Sequence, residues 1–174
     1  MMDVRNGYLE LQGLDEVLKA LDRADKEVRS AAMKGLEKGG LNIIADAQVN
    51  LRQNRSVVTG LLRQSGRVQK VNDTSLDVGF FDTTNKNSGY ALYVEYGRRS
   101  GKFPPLDEIV QWVTTKFRLK DKDARSVGFL VARKIAQEGS KPHPFFGPAV
   151  QKNHESILRA VRNALQKHKD TPEL

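Results

Sequence analysis

Apolar positions recur along this chain at two spacings, and the spacing assigns the elements. Residues 4–11 read as a short strand whose apolar content is Tyr8, Leu9 and Leu11, and Gly13 breaks it. Leu14, Val17, Leu18 and Leu21 then fall at helical intervals, followed by a joint over residues 22–25. A longer helix places Val28, Ala32, Leu36, Ile43, Ala47 and Leu51 on one stripe. Gly39-Gly40 lies inside it. Each glycine weakens a helix by about 1 kcal/mol relative to alanine. Such a pair either kinks a helix or admits another backbone at close range, so the helix is expected to continue with a bend.

Residues 53–59 form a polar loop, with Thr59 as a cap or turn residue. Gly60 permits an unusual backbone angle, and Leu61 and Leu62 return to the core. The clearest period-two pattern comes next. Residues 68–71 lead through Asn72-Asp73-Thr74-Ser75, a turn by composition, into Leu76, Val78 and Phe80, which alternate with Asp77 and Gly79. This predicts a hairpin. Residues 82–89 are a polar loop. Residues 90–96 are too few for periodicity to separate strand from helix, but Gly97 suits the position just past a helix end, which favours a short helix.

After Pro104-Pro105, Leu106 opens a helix with Ile109, Val110, Val113 and Phe117 inward and Trp112 at its flank. Residues 119–123 are a charged joint. Val127, Leu130, Val131 and Ile135 mark another helix that stops at Gly139. Pro148 is tolerated in the first turn of the last helix, which carries Val150, Ile157, Val161, Ala164 and Leu165. One alternating hairpin beside several amphipathic stripes predicts an α+β fold. A small antiparallel sheet near residues 66–81 is expected to pack against the long N- and C-terminal helices.

The 174 residues fit one domain, expected over 1–167 with a flexible tail at 168–174. There is no cysteine, which excludes disulfides and thiolate metal sites. The first residues lack the apolar stretch of a signal peptide, and no apolar run approaches the ~20 residues of a membrane span, so a soluble protein with no membrane partner is expected. The net charge of +8 points to a polyanionic neighbour. Its placement is uneven. Residues 47–72 contain no acid, yet carry Arg52, Arg55, Arg63, Arg67 and Lys70, and a second basic cluster holds Arg98, Arg99 and Lys102. These cations are either a solvated face or a surface turned to DNA or to an acidic partner.

Catalytic chemistry finds little support. A hydrolase needs clustered acids, or a nucleophile beside a base. His154 and His168 lie 14 residues apart in one helix, about 21 Å along its axis, so they cannot share a metal. The segment from Gly97 to Lys102 has one residue too few between its glycines for a phosphate loop, and Phe103 stands where a hydroxyl would hold magnesium. Nothing pairs Asp82 with Glu95. No cofactor and no enzymatic activity are expected. Glu95 sits among Tyr90, Tyr93 and Tyr96 and, if buried, needs backbone N–H donors or an arginine. The three tyrosines with Phe145 and Phe146 could stack bases. They read instead as core and subunit-contact residues, because the Arg/Lys cluster is not interleaved with them. Pro142, Pro144 and Pro148 stiffen the segment that presents Phe145 and Phe146.

Three segments carry a resemblance: Thr59-Gly-Leu-Leu-Arg-Gln-Ser65, Tyr90-Ala-Leu-Tyr-Val-Glu-Tyr-Gly97, and Pro144-Phe-Phe-Gly-Pro-Ala149 opening a helix. In that order, over residues 9–167, they resemble the small tail-completion or neck (head–tail joining) proteins of long-tailed bacteriophages and prophages. Residues 103–138 depart from the compact members and are expected to be a helical insertion. The resemblance implies a structural virion protein at the neck or tail end, assembled in the host cytoplasm. It implies a closed ring of copies, hexameric, between the tail terminator or tail tube and the head-closure connector, with nonspecific contact to genomic DNA in the channel. A stand-alone basic nucleic-acid-binding protein is the alternative.

Overall fold

The computed structural model describes residues 2–5, 8–11, 26–54, 60–81 and 90–169. Two strands, β1 (Met2–Arg5) and β2 (Tyr8–Leu11), pair antiparallel. The single strand expected over residues 4–11 is thus a hairpin, with Arg5 opposite Tyr8. The two residues between the strands are Asn6-Gly7, the strongest short hairpin signal a sequence carries. The helix expected at 14–21, the joint at 22–25, Thr59 and the loop at 82–89 lie outside the described residues.

The scaffold is a pair of long helices, α1 (Lys26–Gln53) and α6 (Phe146–Lys169), packed along each other. The helix α6 runs through Lys169, so residues 168 and 169 of the expected tail are helical, and residues 170–174 lie outside the described residues. Between these helices in sequence come α2 (Leu61–Gln64), strands β3 (Gly66–Lys70) and β4 (Leu76–Phe80), α3 (Tyr90–Tyr96), α4 (Leu106–Phe117) and α5 (Asp121–Glu138). The strands β3 and β4 pair antiparallel with Val68 opposite Val78, and the hairpin lies on α1. This is the α+β fold that the patterning predicts. The first strand begins two residues earlier than expected, and Val71 falls beyond it, exposed in the turn. In that turn the Thr74 N–H donates to Asn72 Oδ1 at 2.8 Å, as an Asx turn requires.

The core gathers Ile43, Ile44, Ala47 and Leu51 of α1 with Phe145, Phe146, Ala149, Val150 and Ile157. Val68, Val78 and Phe80 cover it from the hairpin, and Ala91 and Val94 from α3. Phe80 meets Phe145 and Phe146 edge-on, with centroids 5.1 and 5.9 Å apart, the favoured geometry for aromatic pairs. Gly39 and Gly40 are buried within the continuous helix α1. A Cβ on Gly39 would run into Ile157 of α6, and one on Gly40 would come within 2.9 Å of Val68 and Val78. The pair therefore lets α6 approach on one side and the sheet on the other. Glycine to alanine in a helix ordinarily stabilises by about 1 kcal/mol. Gly39→Ala is expected to destabilise instead, by about 1–3 kcal/mol through overpacking, as read by urea unfolding.

The helices α4 and α5 form a helical hairpin. Its buried seam is Val113 with Ala124, Gly128 and Ala132. Here the expected stripes need correction. Phe117 and Leu130 are not inward but 50% and 60% exposed. Small residues four apart let the two helices approach, Val127, Val131 and Ile135 are half-buried beside them, and Phe129 and Leu130 turn outward.

Candidate functional site

The residues of the second and third signature segments meet in one place. The helix α3 turns Ala91, Val94 and Glu95 toward the core, and Glu95 is 5% exposed. Its Oε2 accepts from the N–H groups of Phe145 and Phe146 at 2.7 and 2.9 Å, and its Oε1 from that of Gly147 at 2.9 Å. These groups open α6. A helix start leaves four N–H groups without intrahelical partners. Three bond to Glu95, and the fourth position is Pro148, which has no N–H. The first turn of α6 is thereby fully satisfied. A negative charge here also meets the positive end of the helix dipole. Gly147 makes room, since a Cβ there would lie 2.9 Å from Glu95 Oε1.

Further bonds hold the proline-rich turn that precedes α6. The His143 N–H donates to the Val94 carbonyl at 2.8 Å. Asn50 and Asn54 of the α1 end donate from Nδ2 to the Phe145 and Pro144 carbonyls at 2.9 and 2.8 Å. Gly97 follows α3 with φ of 73°, the left-handed region that the residue after a helix end favours. Arg98 and Ser140 then exchange backbone hydrogen bonds at 3.1 and 2.8 Å, and the Gly101 N–H donates to the Ala136 carbonyl at 2.7 Å. The amides of Arg98 and Gly101 are thus already engaged in backbone hydrogen bonds.

Phe145 and Phe146 are both core residues, 1% and 6% exposed. The tyrosines are not. Tyr90, Tyr93 and Tyr96 are 45%, 50% and 52% exposed, so the core half of their expected role fails. They stand at intervals of three on the solvent side of α3, because its other side is occupied by smaller Ala91 and Val94 and by Glu95. Partial burial pushes the Tyr90 and Tyr96 hydroxyls above their usual range, with Glu108 and Glu95 respectively adding to the effect. The separation of aromatic and basic residues also needs correction. The Arg98 guanidinium lies over the Tyr93 ring at 5.3 Å and donates to the Lys102 carbonyl at 2.9 Å.

The basic residues do not act as one free set. Arg52, Arg99 and Lys102 are exposed. Arg63 is half-buried on α2, Arg67 lies over the Phe81 ring at 5.0 Å, and Lys70 pairs with Asp73 at 2.7 Å. The cations of residues 52–70 are therefore not all unopposed, since Asp73 lies just past the acid-free stretch. Arg55 lies outside the described residues. Among the described residues, no group of three or more His, Asp or Glu side chains could hold a metal ion, and no helix is long and apolar enough to cross a membrane.

One polar cluster escaped the sequence reading. On α1, Asp46 accepts from Lys152 Nζ at 2.8 Å and from Asn153 Nδ2 at 2.7 Å, both on α6. Buried Asn153 also donates to the Ala149 carbonyl. The hydrogen bonds from Lys152 and Asn153 hold the Asp46 carboxyl below its usual value. A depressed folded-state pKa contributes stability above the unfolded value, near 3.9, that is lost as pH falls through the folded value. Asp46→Ala is expected to cost about 1 kcal/mol at pH 6. The gap from wild type should start to narrow near the unfolded value and close as pH falls through the lower folded one, as read by urea unfolding across a descending pH series.

Comparison against protein-family models, curated proteins and solved structures finds no match to this chain.

Proposed function

We propose that this chain is a structural virion protein of a tailed bacteriophage: a tail-completion or neck ring subunit that helps join the tail to the DNA-filled head. The observation that carries this reading is the Glu95 latch. Two of the three segments behind the resemblance are halves of one device, a carboxylate on α3 and the helix start it caps. The latch presses the inner side of α3 into the core and presents Tyr90, Tyr93 and Tyr96 to the outside on a rigid base.

Tyrosine and arginine are enriched where protein surfaces bind each other, and tyrosine brings large contact area at small entropic cost. The tyrosine face with Arg98 suits a subunit contact in a closed ring, in which one patch meets a different patch on the neighbour. The ring, hexameric in this reading, meets the tail terminator or tail tube on one side and the head-closure connector on the other. Exposed Arg52, Arg99 and Lys102 are the cations left for weak phosphate contact with DNA in the channel. The protein needs no cofactor and catalyses no reaction.

Changing Tyr90, Tyr93 and Tyr96 together to serine should keep the fold, since each residue is about half exposed, and circular dichroism checks this before the variant is scored. In the phage that encodes the chain, this variant should fail to support tailed, infectious particles. Full complementation would count against the tyrosine face as a contact. The +8 charge keeps a stand-alone nucleic-acid-binding protein as the competing reading. Tight duplex binding by the isolated protein, with a steep salt slope, would favour it.

A further inference from the structure

The helical hairpin α4–α5 has an outer surface that its own packing leaves uncovered. An open groove of about 620 Å³ is lined by Leu106, Lys122, Arg125, Ser126, Phe129 and Leu130. Its apolar floor is exposed, with Phe129 at 48% and Leu130 at 60%. Phe103 lies tilted against Phe129, ring centroids 5.7 Å apart, and extends that floor. Lys122, Arg125, Ser126 and Phe129 recur at three- and four-residue intervals along α5, so apolar and cationic groups share one helix face. Lys122 and Arg125 make no ion pair among the described residues. A surface of this kind fits an amphipathic segment that is apolar on one side and acidic at its margins.

The chain itself contains such a segment. Residues 14–25 carry Leu14, Val17, Leu18 and Leu21 at helical intervals, flanked by Asp15, Glu16, Asp22 and Asp25 against only Lys19 and Arg23. The segment is acidic in a chain whose net charge is +8. Groove and segment thus complement each other in both apolar pattern and charge. We infer that the α4–α5 groove receives residues 14–25 of a second copy of this chain. This deepens the ring reading and rests on it: two different, complementary patches on one chain make the heterologous contact that a ring repeats at every interface. It also gives residues 103–138 a task, that of carrying the receptor for the neighbour's N-terminal segment.

The absence of cysteine makes the test direct. Ser126→Cys and Leu18→Cys are made as separate proteins, mixed, and treated with a short bis-maleimide. A crosslinked product of twice the chain mass is expected from the mixture and not from either protein alone. Lys122→Glu with Arg125→Glu, both exposed, should lower the yield about tenfold, and Asp15→Lys with Glu16→Lys on the other partner should restore it. Circular dichroism establishes that each variant is folded before it is scored. No crosslink in the mixture overturns the inference, as does a crosslink that forms only within one chain carrying both cysteines. If the protein still assembles into rings without this crosslink, the groove assignment falls and the ring reading stands. If the crosslink forms but the chain is not incorporated into particles, the groove assignment stands and the neck reading falls.

Discussion

Glu95→Ala is expected to destabilise the fold by about 3–5 kcal/mol, because it strips the acceptor from three N–H groups at the start of α6 at once. Each buried donor left unpaired costs about 1–3 kcal/mol, and water entering beside half-buried Gly147 returns part of that. Glu95→Gln keeps the size and one carbonyl oxygen but turns an NH₂ toward N–H donors, so a smaller loss of about 1–2 kcal/mol is expected. Urea unfolding of both variants reads the difference. An alanine variant as stable as the wild type would mean that the latch is decorative. A second signature should appear in amide hydrogen exchange. The N–H groups of Phe145, Phe146 and Gly147 should lose protection in Glu95→Ala before the middle of α6 does, since local opening starts where partners are missing.

Phe145→Ala should cost a similar amount, about 3–5 kcal/mol, by a different route. The ring is 1% exposed and meets Phe80 edge-on, so its removal forfeits both burial and a cavity's worth of contacts. The surrounding side chains come from α1, β4 and α6, which cannot all move in to fill the space. A thermal melt with a midpoint many degrees lower is the expected readout. Phe146→Ala, at a site 6% exposed with a longer ring contact to Phe80, should lose somewhat less. If both alanine variants melted like the wild type, the proline-stiffened segment would not be the core anchor described here.

These two sites show how far the chain could be read without its fold. The long stripes of α1 and α6 were legible because twenty or more residues at one period leave little ambiguity. The 68–80 hairpin was legible because alternation changed phase at a turn with its own chemistry. Glu95 could be read as an acceptor of backbone N–H groups, since a buried carboxylate leaves few alternatives. Its partner could not, because nothing local says which helix start will face it. The tyrosines misled for a related reason. Three aromatic residues in seven suggest a core, but which side of a two-turn helix is buried depends on what covers it, and there Ala91 and Val94 took the inner place. On α5 the reading favoured large apolar residues, whereas close helix approach selected Ala124, Gly128 and Ala132. Gly39-Gly40 read as either a kink or a site of close approach, and it is where α6 and the sheet come close to α1. The charge reading counted cations along the sequence and could not see Lys70 reach Asp73 or Arg98 cover Tyr93.

The proposed neck role is tested most directly by electron microscopy of particles made when the gene for this chain is silenced in a phage or prophage that carries it. The account predicts DNA-filled heads and complete-length tails lying separate in the lysate, joined again when the wild-type chain is supplied. Normal tailed, infectious particles in its absence would contradict the account.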